Sequence, residues 1–411
     1  MPLPNLIIGM LKLSRSLTVE INSLFQKVFK LKEISKQAFS FARKKMNPLV
    51  FAGLHKVIVN GYYADEYKKY KDQYLVFACD GTGLQLPMSK EIICEYGCPS
   101  TQNGSTGRPV GNLSVLYDIY NKIIVNGILK PYAYSEKAMA EEQISYIRKI
   151  QNLRGKKIII LFDRGYPSMN LITKLVQNKI NFIIRYPKNR NKDIQIASKR
   201  PDYDKLKQVK FSKDMLKNNE FLRKYARENN NKISLRFISG RFSDKEIAVF
   251  ITNLNSQEIN REEIIELYRT RWQIETEIKY LKGSGEIENL ACKTVSNLKQ
   301  EIYCKILSLN LSEVLIEEAQ EIVDKKVKSG DIKTKYELKV NRNVALGTIK
   351  EALPDIIWNG WKSFGDINNN PLTDLILQIS KNTCPVKKNR VFERKPPAQK
   401  RTYNIQQRKA C

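Results

Sequence analysis

The chain has 411 residues, too many for one ordinary core, and its 42% hydrophobic content is that of a folded globular protein. Lys and Arg number 71 against 42 Asp and Glu, a formal net charge of +29, which favours a polyanionic partner; frequent Lys, Asn and Ile also fit an AT-rich coding sequence as part of the cause. No apolar run approaches the roughly 20 residues of a spanning helix, which argues against a membrane protein, and a single histidine, His55, leaves little room for Ser-His-Asp, Cys-His or histidine-rich metal chemistry.

A metal in such a chain would be held by carboxylates, so a hard ion such as Mg²⁺ or Mn²⁺. The seven cysteines are odd in number and scattered. They suggest no disulfide framework and fit a reduced, cytoplasmic setting.

In chain order, residues 1 to about 60 read as helices, with Ser35–Lys45 basic and Pro48 ending it. Tyr74–Cys79 is a continuous apolar run that leads into Asp80-Gly81-Thr82-Gly83, a buried strand ending in a turn. A Gly-, Ser- and Asn-rich loop is expected over Cys98–Gly111, then strands over Ser114–Tyr120 and Lys122–Ile128 and a helix over Tyr134–Asn152. Lys156–Phe162 repeats the first pattern, an apolar strand ending in an acid, Asp163. A helix over Met169–Gln177 and a strand over Asn181–Arg185 complete an α/β pattern with a mixed sheet.

From Pro187 to about Asn231 the chain is charged and poorly patterned, and Ile233–Ile238 and Glu246–Thr252 then read as strands. Residues 187–254 therefore look like an insertion with β structure. Glu262–Lys282 reads as one long helix and Asn297–Gln320 as another. The chain ends in a tail with nine basic residues from Lys387 to Lys409 against Glu393 alone.

At about 100° per residue, the Glu262–Lys282 helix places Arg271, Glu275, Lys279 and Lys282 on the side of Tyr268. Leu267, Ile274, Ile278 and Leu281 form an adjacent apolar stripe, and Arg269, Thr270, Gln273, Glu277 and Tyr280 fall on the far side. Helix-stabilising pairs such as Arg271–Glu275 explain such a stripe as well as a site does.

Tyr268, Arg271, Glu275 and Lys282 match a Y-x2-R-x3-E-x6-K signature, with Trp272 and Ile274 completing the string. In this the chain resembles the DDE transposases of bacterial insertion sequences, specifically the insertion-sequence-4 family. Asp80-Gly81-Thr82 is similar to that family's first acidic motif and Phe162–Ser168 (FDRGYPS) to its second. Phe39–Lys45, Leu116-Tyr117-Asp118, Ser135-Glu136-Lys137 with Met139-Ala140, and the basic tail resemble further family segments, and Met1–Ile34 has no counterpart.

The resemblance implies a ribonuclease-H-like core with a mixed sheet, interrupted by a β-rich insertion and flanked by a helical N-terminal region and a basic C-terminal region. The divisions it suggests are 1–65 (helical, DNA-binding), 66–186 (first part of the core), 187–254 (insertion), 255–325 (second part of the core) and 326–411 (helical region and tail). It implies that Asp80, Asp163 and Glu275 are catalytic and hold two Mg²⁺ or Mn²⁺ ions. Arg271, Lys282, Lys279, Arg164, Trp272 and Tyr268 would contact DNA, with core packing the other role open to Tyr268. The implied partners are transposon-end and target DNA, bound by a homodimer, in the bacterial cytoplasm at the nucleoid. A nuclease that cuts without joining, or a domesticated DNA-binding protein without activity, would carry much of the same pattern.

Overall fold

In the computed structural model, residues 1–12, 17–30, 34–99, 107–187, 192–243, 246–360 and 370–387 are described. The chain folds as two compact units threaded through each other in sequence. One comprises Val59–Gly83 and Gly111–Ile278; the other comprises Met1–Ile58, Leu84–Val110 and the chain from Lys279 onward.

The first unit is built on an eight-stranded mixed sheet. Its strands are β1 (Tyr74–Gln85), β2 (Val110–Asp118), β3 (Ile124–Pro131), β4 (Lys157–Phe162), β5 (Asn181–Tyr186), β6 (Asp204–Lys210), β7 (Lys232–Ser243) and β8 (Glu246–Thr252), in the order β3-β2-β1-β4-β5-β8-β7-β6. β1 and β4 pair in parallel, as do β4 and β5, while β2 and β3 form an antiparallel pair. Tyr74–Cys79 and Ile158–Phe162 are buried throughout, as the unbroken apolar runs require of strands covered on both faces. The β4-to-β5 crossover is the Met169–Gln177 helix, whose N-terminus is capped by the Ser168 side chain.

β8 pairs antiparallel with β5, Ile183 facing Thr252, so the insertion extends the central sheet. The described residues of its poorly patterned first half carry regular structure: helices Lys192–Ser198, Lys213–Lys217 and Glu220–Glu228 come before and after β6 along the chain. β6 escapes a periodicity reading because it is an edge strand with Lys205, Lys207 and Lys210 along it and Leu206 70% exposed. Lysines on an open edge discourage pairing with another chain.

The strand of Asp80 also departs from expectation. Asp80-Gly81-Thr82-Gly83 is not a turn, because β1 runs on through it to Gln85. Gly240 on β7 lets a helix approach closely: a Cβ there would stand 2.0 Å from Ile265 Cδ1. Ile265 belongs to the Arg261–Arg269 helix, which starts with a capping box between Asn260 and Glu263.

The second unit is mainly helical. Its longest element, Val295–Ser329, is capped by Thr294 at one end and by left-handed Gly330 at the other. Leu6, Ile8, Phe25 and Phe39 from the N-terminal helices pack with Cys304 and Leu307 of that long helix. Arg43 is buried there, paired with Glu301 at 3.0 Å and donating to Gln300. Helices Arg342–Gly360 and Pro371–Ser380 and the antiparallel pair β9 (Glu337–Val340) and β10 (Thr383–Val386) complete the unit. The basic tail beyond Lys387 lies outside the described residues, as does most of the loop expected after Cys98. No helix among the described residues is long and apolar enough to cross a membrane.

Candidate active site

The site grows from strand register. β1 and β4 run parallel with Cys79 opposite Phe162. The next position on each strand is an acid, so Asp80 and Asp163 follow directly on a paired position, and Asp163 is close enough to raise the Asp80 carboxyl. Asp163 leaves β4 in a tight turn, its Oδ1 accepting the Gly165 N–H at 2.6 Å. Asp80 Oδ1 accepts the Gly81 N–H at 2.9 Å.

The third acid arrives on a helix. Glu275 lies in the first turn of Trp272–Lys282, where a carboxylate is favoured by the helix dipole. Arg271 ties it to the strands: Nη2 is 2.7 Å from Glu275 Oε1 and Nη1 is 3.6 Å from Asp80 Oδ2. The arginine is buried, and its Nε has no hydrogen-bond partner among the described residues.

The single helix expected over Glu262–Lys282 is in fact two, Arg261–Arg269 and Trp272–Lys282. Thr270 Oγ1 donates to the Leu267 carbonyl at 2.6 Å, and the amides of Arg271, Gln273 and Ile274 reach back three residues rather than four. This tightening breaks the 100° progression and re-phases the second helix against the first. Glu277, expected on the far side, is consequently buried.

Tyr268 is also buried. Its hydroxyl donates to the Phe162 carbonyl at 3.2 Å, and its ring packs 4.7 Å from Phe250 and 5.9 Å from Phe242 between centroids. Of the two roles open to it, core packing is the one this geometry shows, and it anchors the residue just before Asp163. The Arg271 guanidinium lies 5.9 Å from its ring centroid. Burial pushes the Tyr268 phenol up to about 12.

Trp272 is 55% exposed, and Arg164 and Lys279 are exposed as well. Lys282 lies 3.8 Å from Glu288, a buried acid that also accepts the Gln85 amide at 2.8 Å.

Electrostatically the site is a group of mutually repelling acids. Burial raises the Asp80 carboxyl to about 6, against the lowering pull of the Gly81 N–H and Arg271, and Asp163 and Glu275 add to the rise. Among the described residues no three His, Cys, Asp or Glu side chains close around one point tightly enough to hold a metal. The cation beside Asp80 and Glu275 is the Arg271 guanidinium. The donor set nonetheless suits a hard divalent ion: carboxylate oxygens, held near one another and partly desolvated.

The sequence profile described as "Transposase DDE domain" matches residues 71–311, more than half of the chain. The chain belongs to that family. The matched span of this DDE-domain protein includes Asp80, Asp163 and Glu275. A curated relative, the transposase for insertion sequence element IS1151 of Clostridium perfringens, is 21% identical over 222 residues, 44% of this chain and 47% of the relative. The match thus spans about half the length of that relative. The cryo-EM structure of the piggyBac transposase synaptic complex with hairpin DNA aligns over 94% of this chain and 77% of that chain, at TM-score 0.42 and 12% identity, too distant to bear on the site.

Glu136 and Tyr166 also stand near these acids, Glu136 against Gly81 and Tyr166 in the turn that follows Asp163. The resembling segments contain both residues without setting either apart: Glu136 comes near through tertiary packing, and the Tyr166 position in the turn carries no periodic signal.

Proposed function

We propose that this DDE-domain protein is a transposase of the insertion-sequence-4 type, which binds the ends of an insertion sequence, cuts them and joins them to new DNA. The observation that carries the reading is the register Cys79–Phe162, which sets Asp80 beside Asp163, together with Arg271 pairing with both Asp80 and Glu275. Membership of the family and the strand order β3-β2-β1-β4-β5, with a β-rich extension entered before the Glu275 helix, support a ribonuclease-H-like core.

In this reading Asp80, Asp163 and Glu275 would together hold the two divalent ions. When bound, such a pair activates the attacking oxygen and stabilises the leaving one. Water attacks the phosphorus of the scissile bond and the 3′ oxygen leaves as a hydroxyl; that hydroxyl then attacks a target phosphodiester and displaces the target strand's own 3′ oxygen, which takes up the proton. Arg271, with a buried spare Nε, is suited to turn from Glu275 to a phosphate. Lys279, Lys282 and Arg164 would hold backbone phosphates, and exposed Trp272 offers a stacking surface for an unpaired base.

A formal charge of +29 supplies the long-range attraction to DNA. The division into N-terminal DNA-binding region, split core, insertion and basic C-terminal region belongs to the same proposal, as do a homodimer in the DNA complex and a place at the bacterial nucleoid. A strand-transfer assay with labelled element ends and a plasmid target tests it. Joined product with Mg²⁺ or Mn²⁺ is expected; cutting without joining would make the protein a nuclease, and binding alone a DNA-binding protein.

A further inference from the structure

Glu136 opens the Glu136–Ile147 helix that comes after β3. A carboxylate at a helix start is favourable without any partner, so its residue type proves nothing. Its position is more informative. A Cβ built on Gly81 would stand 3.0 Å from Glu136 Oε1. The Glu136 carboxylate therefore lies against the backbone of the residue next to Asp80, and glycine at 81 leaves it room.

A second observation comes from Tyr166. This side chain is 1% exposed, and its hydroxyl is buried with no hydrogen-bond partner among the described residues. It lies within electrostatic reach of the Cys79 thiol and the carboxylates of Asp80, Glu136 and Asp163. A buried hydroxyl without a partner is destabilising and calls for an explanation. A group that enters beside these acids and offers an acceptor, such as the hydration water of a cation, would supply one. The Tyr166 backbone is set by its position in the turn after β4, its amide reaching the Asp163 carbonyl at 3.4 Å.

We propose that Glu136 is a fourth carboxylate of the acidic centre, strengthening its hold on a divalent cation, with the Tyr166 hydroxyl as the buried donor to the water or carboxylate oxygen that cation binding brings within reach. This rests on the metal-dependent reading above. Glu136 and Tyr166 act on the cation through water or through the neighbouring acids, as positioning residues.

The test is a calorimetric titration of the full chain with Mn²⁺, without DNA, on the wild type and on Asp80→Asn, Glu136→Gln, Tyr166→Phe and Glu142→Gln. Glu142 lies on the same helix and pairs with Lys130 instead. Outer residues of metal sites change affinity by about tenfold to a hundredfold. Glu136→Gln is expected to weaken Mn²⁺ by at least about tenfold, and Glu142→Gln to leave it unchanged. Tyr166→Phe is expected to be at least as stable as the wild type without metal and to bind Mn²⁺ more weakly in the same titration. Wild-type affinity in Glu136→Gln, while Asp80→Asn loses binding, overturns the proposal and leaves the Asp80 reading standing. An equal loss in Glu142→Gln overturns it too, because a general charge effect would then suffice. If Asp80→Asn binds Mn²⁺ like the wild type, the metal-dependent reading itself fails, and the proposal with it.

Discussion

Asp80→Asn should make the protein more stable at neutral pH while destroying its proposed activity. The carboxyl is buried beside two other acids, and its side chain is only 21% exposed. A rise from the ordinary 3.8 to about 6, at about 1.4 kcal/mol for each tenfold change in proton affinity, makes the charged form cost the fold about 3 kcal/mol at neutral pH. The sign comes from linkage. Between the unfolded and folded values the native state holds the proton more tightly, so Asp80 contributes most stability below about pH 4 and loses it as pH rises through about 6. Asparagine does not titrate, and its Oδ1 can still accept the Gly81 amide. Urea denaturation with a chelator present, at pH 8 and at pH 4.5, measures the difference. The variant should exceed the wild type by about 1–3 kcal/mol at pH 8, and the gap should shrink at pH 4.5. A variant less stable than the wild type at pH 8 would show that Asp80 is a structural residue and would refute the electrostatic argument.

Other predictions address the neighbours. Arg271→Ala should lower stability by about 1–3 kcal/mol, less than the roughly 3–5 of a fully buried pair because its partners are partly solvated, and the loss should be smaller at pH 5 than at pH 8 in the same denaturation assay. Asp163→Asn should abolish cleavage of element ends yet leave their binding, read by gel shift, within about threefold, since a carboxylate makes no phosphate contact. Lys282→Ala should flatten the dependence of log affinity on log salt by about 0.9, one phosphate contact on duplex DNA; an unchanged slope would assign Lys282 to its contact with Glu288 alone. Tyr268→Phe should leave the salt slope unchanged and cost about 0.5–1.5 kcal/mol for the lost bond to the Phe162 carbonyl.

The parts of the fold that are legible in the sequence are those where one physical pattern dominates. Tyr74–Cys79 and Lys157–Phe162 are central parallel strands, and unbroken apolar runs ending in acids announce both. The Met169–Gln177 helix and β8 also have the bounds that their patterns give. Legibility fails where tertiary context overrides local pattern. Asp80-Gly81-Thr82-Gly83 looks like a turn by composition, yet β1 runs on through it to Gln85. Thr270 offers its hydroxyl to a carbonyl three residues back, a competition that helical periodicity does not register, so the pattern shows two helices as one. The acids themselves are legible as strand ends and a helix position, but the meeting of Asp80 with Asp163 rests on the Cys79–Phe162 register, which no single-chain pattern contains.

The role proposed for Asp80, Asp163 and Glu275 is a shared one in a metal-dependent reaction on DNA. Cleavage of a duplex bearing the element's end, measured with Mg²⁺, with Mn²⁺ and with chelator for the wild type, Asp80→Asn, Asp163→Asn and Glu275→Gln, tests it most directly. Metal-dependent cleavage by the wild type is expected, and none by any of the three folded, DNA-binding variants. Cleavage at the wild-type rate by any one of them, or wild-type cleavage that persists in chelator, would contradict it.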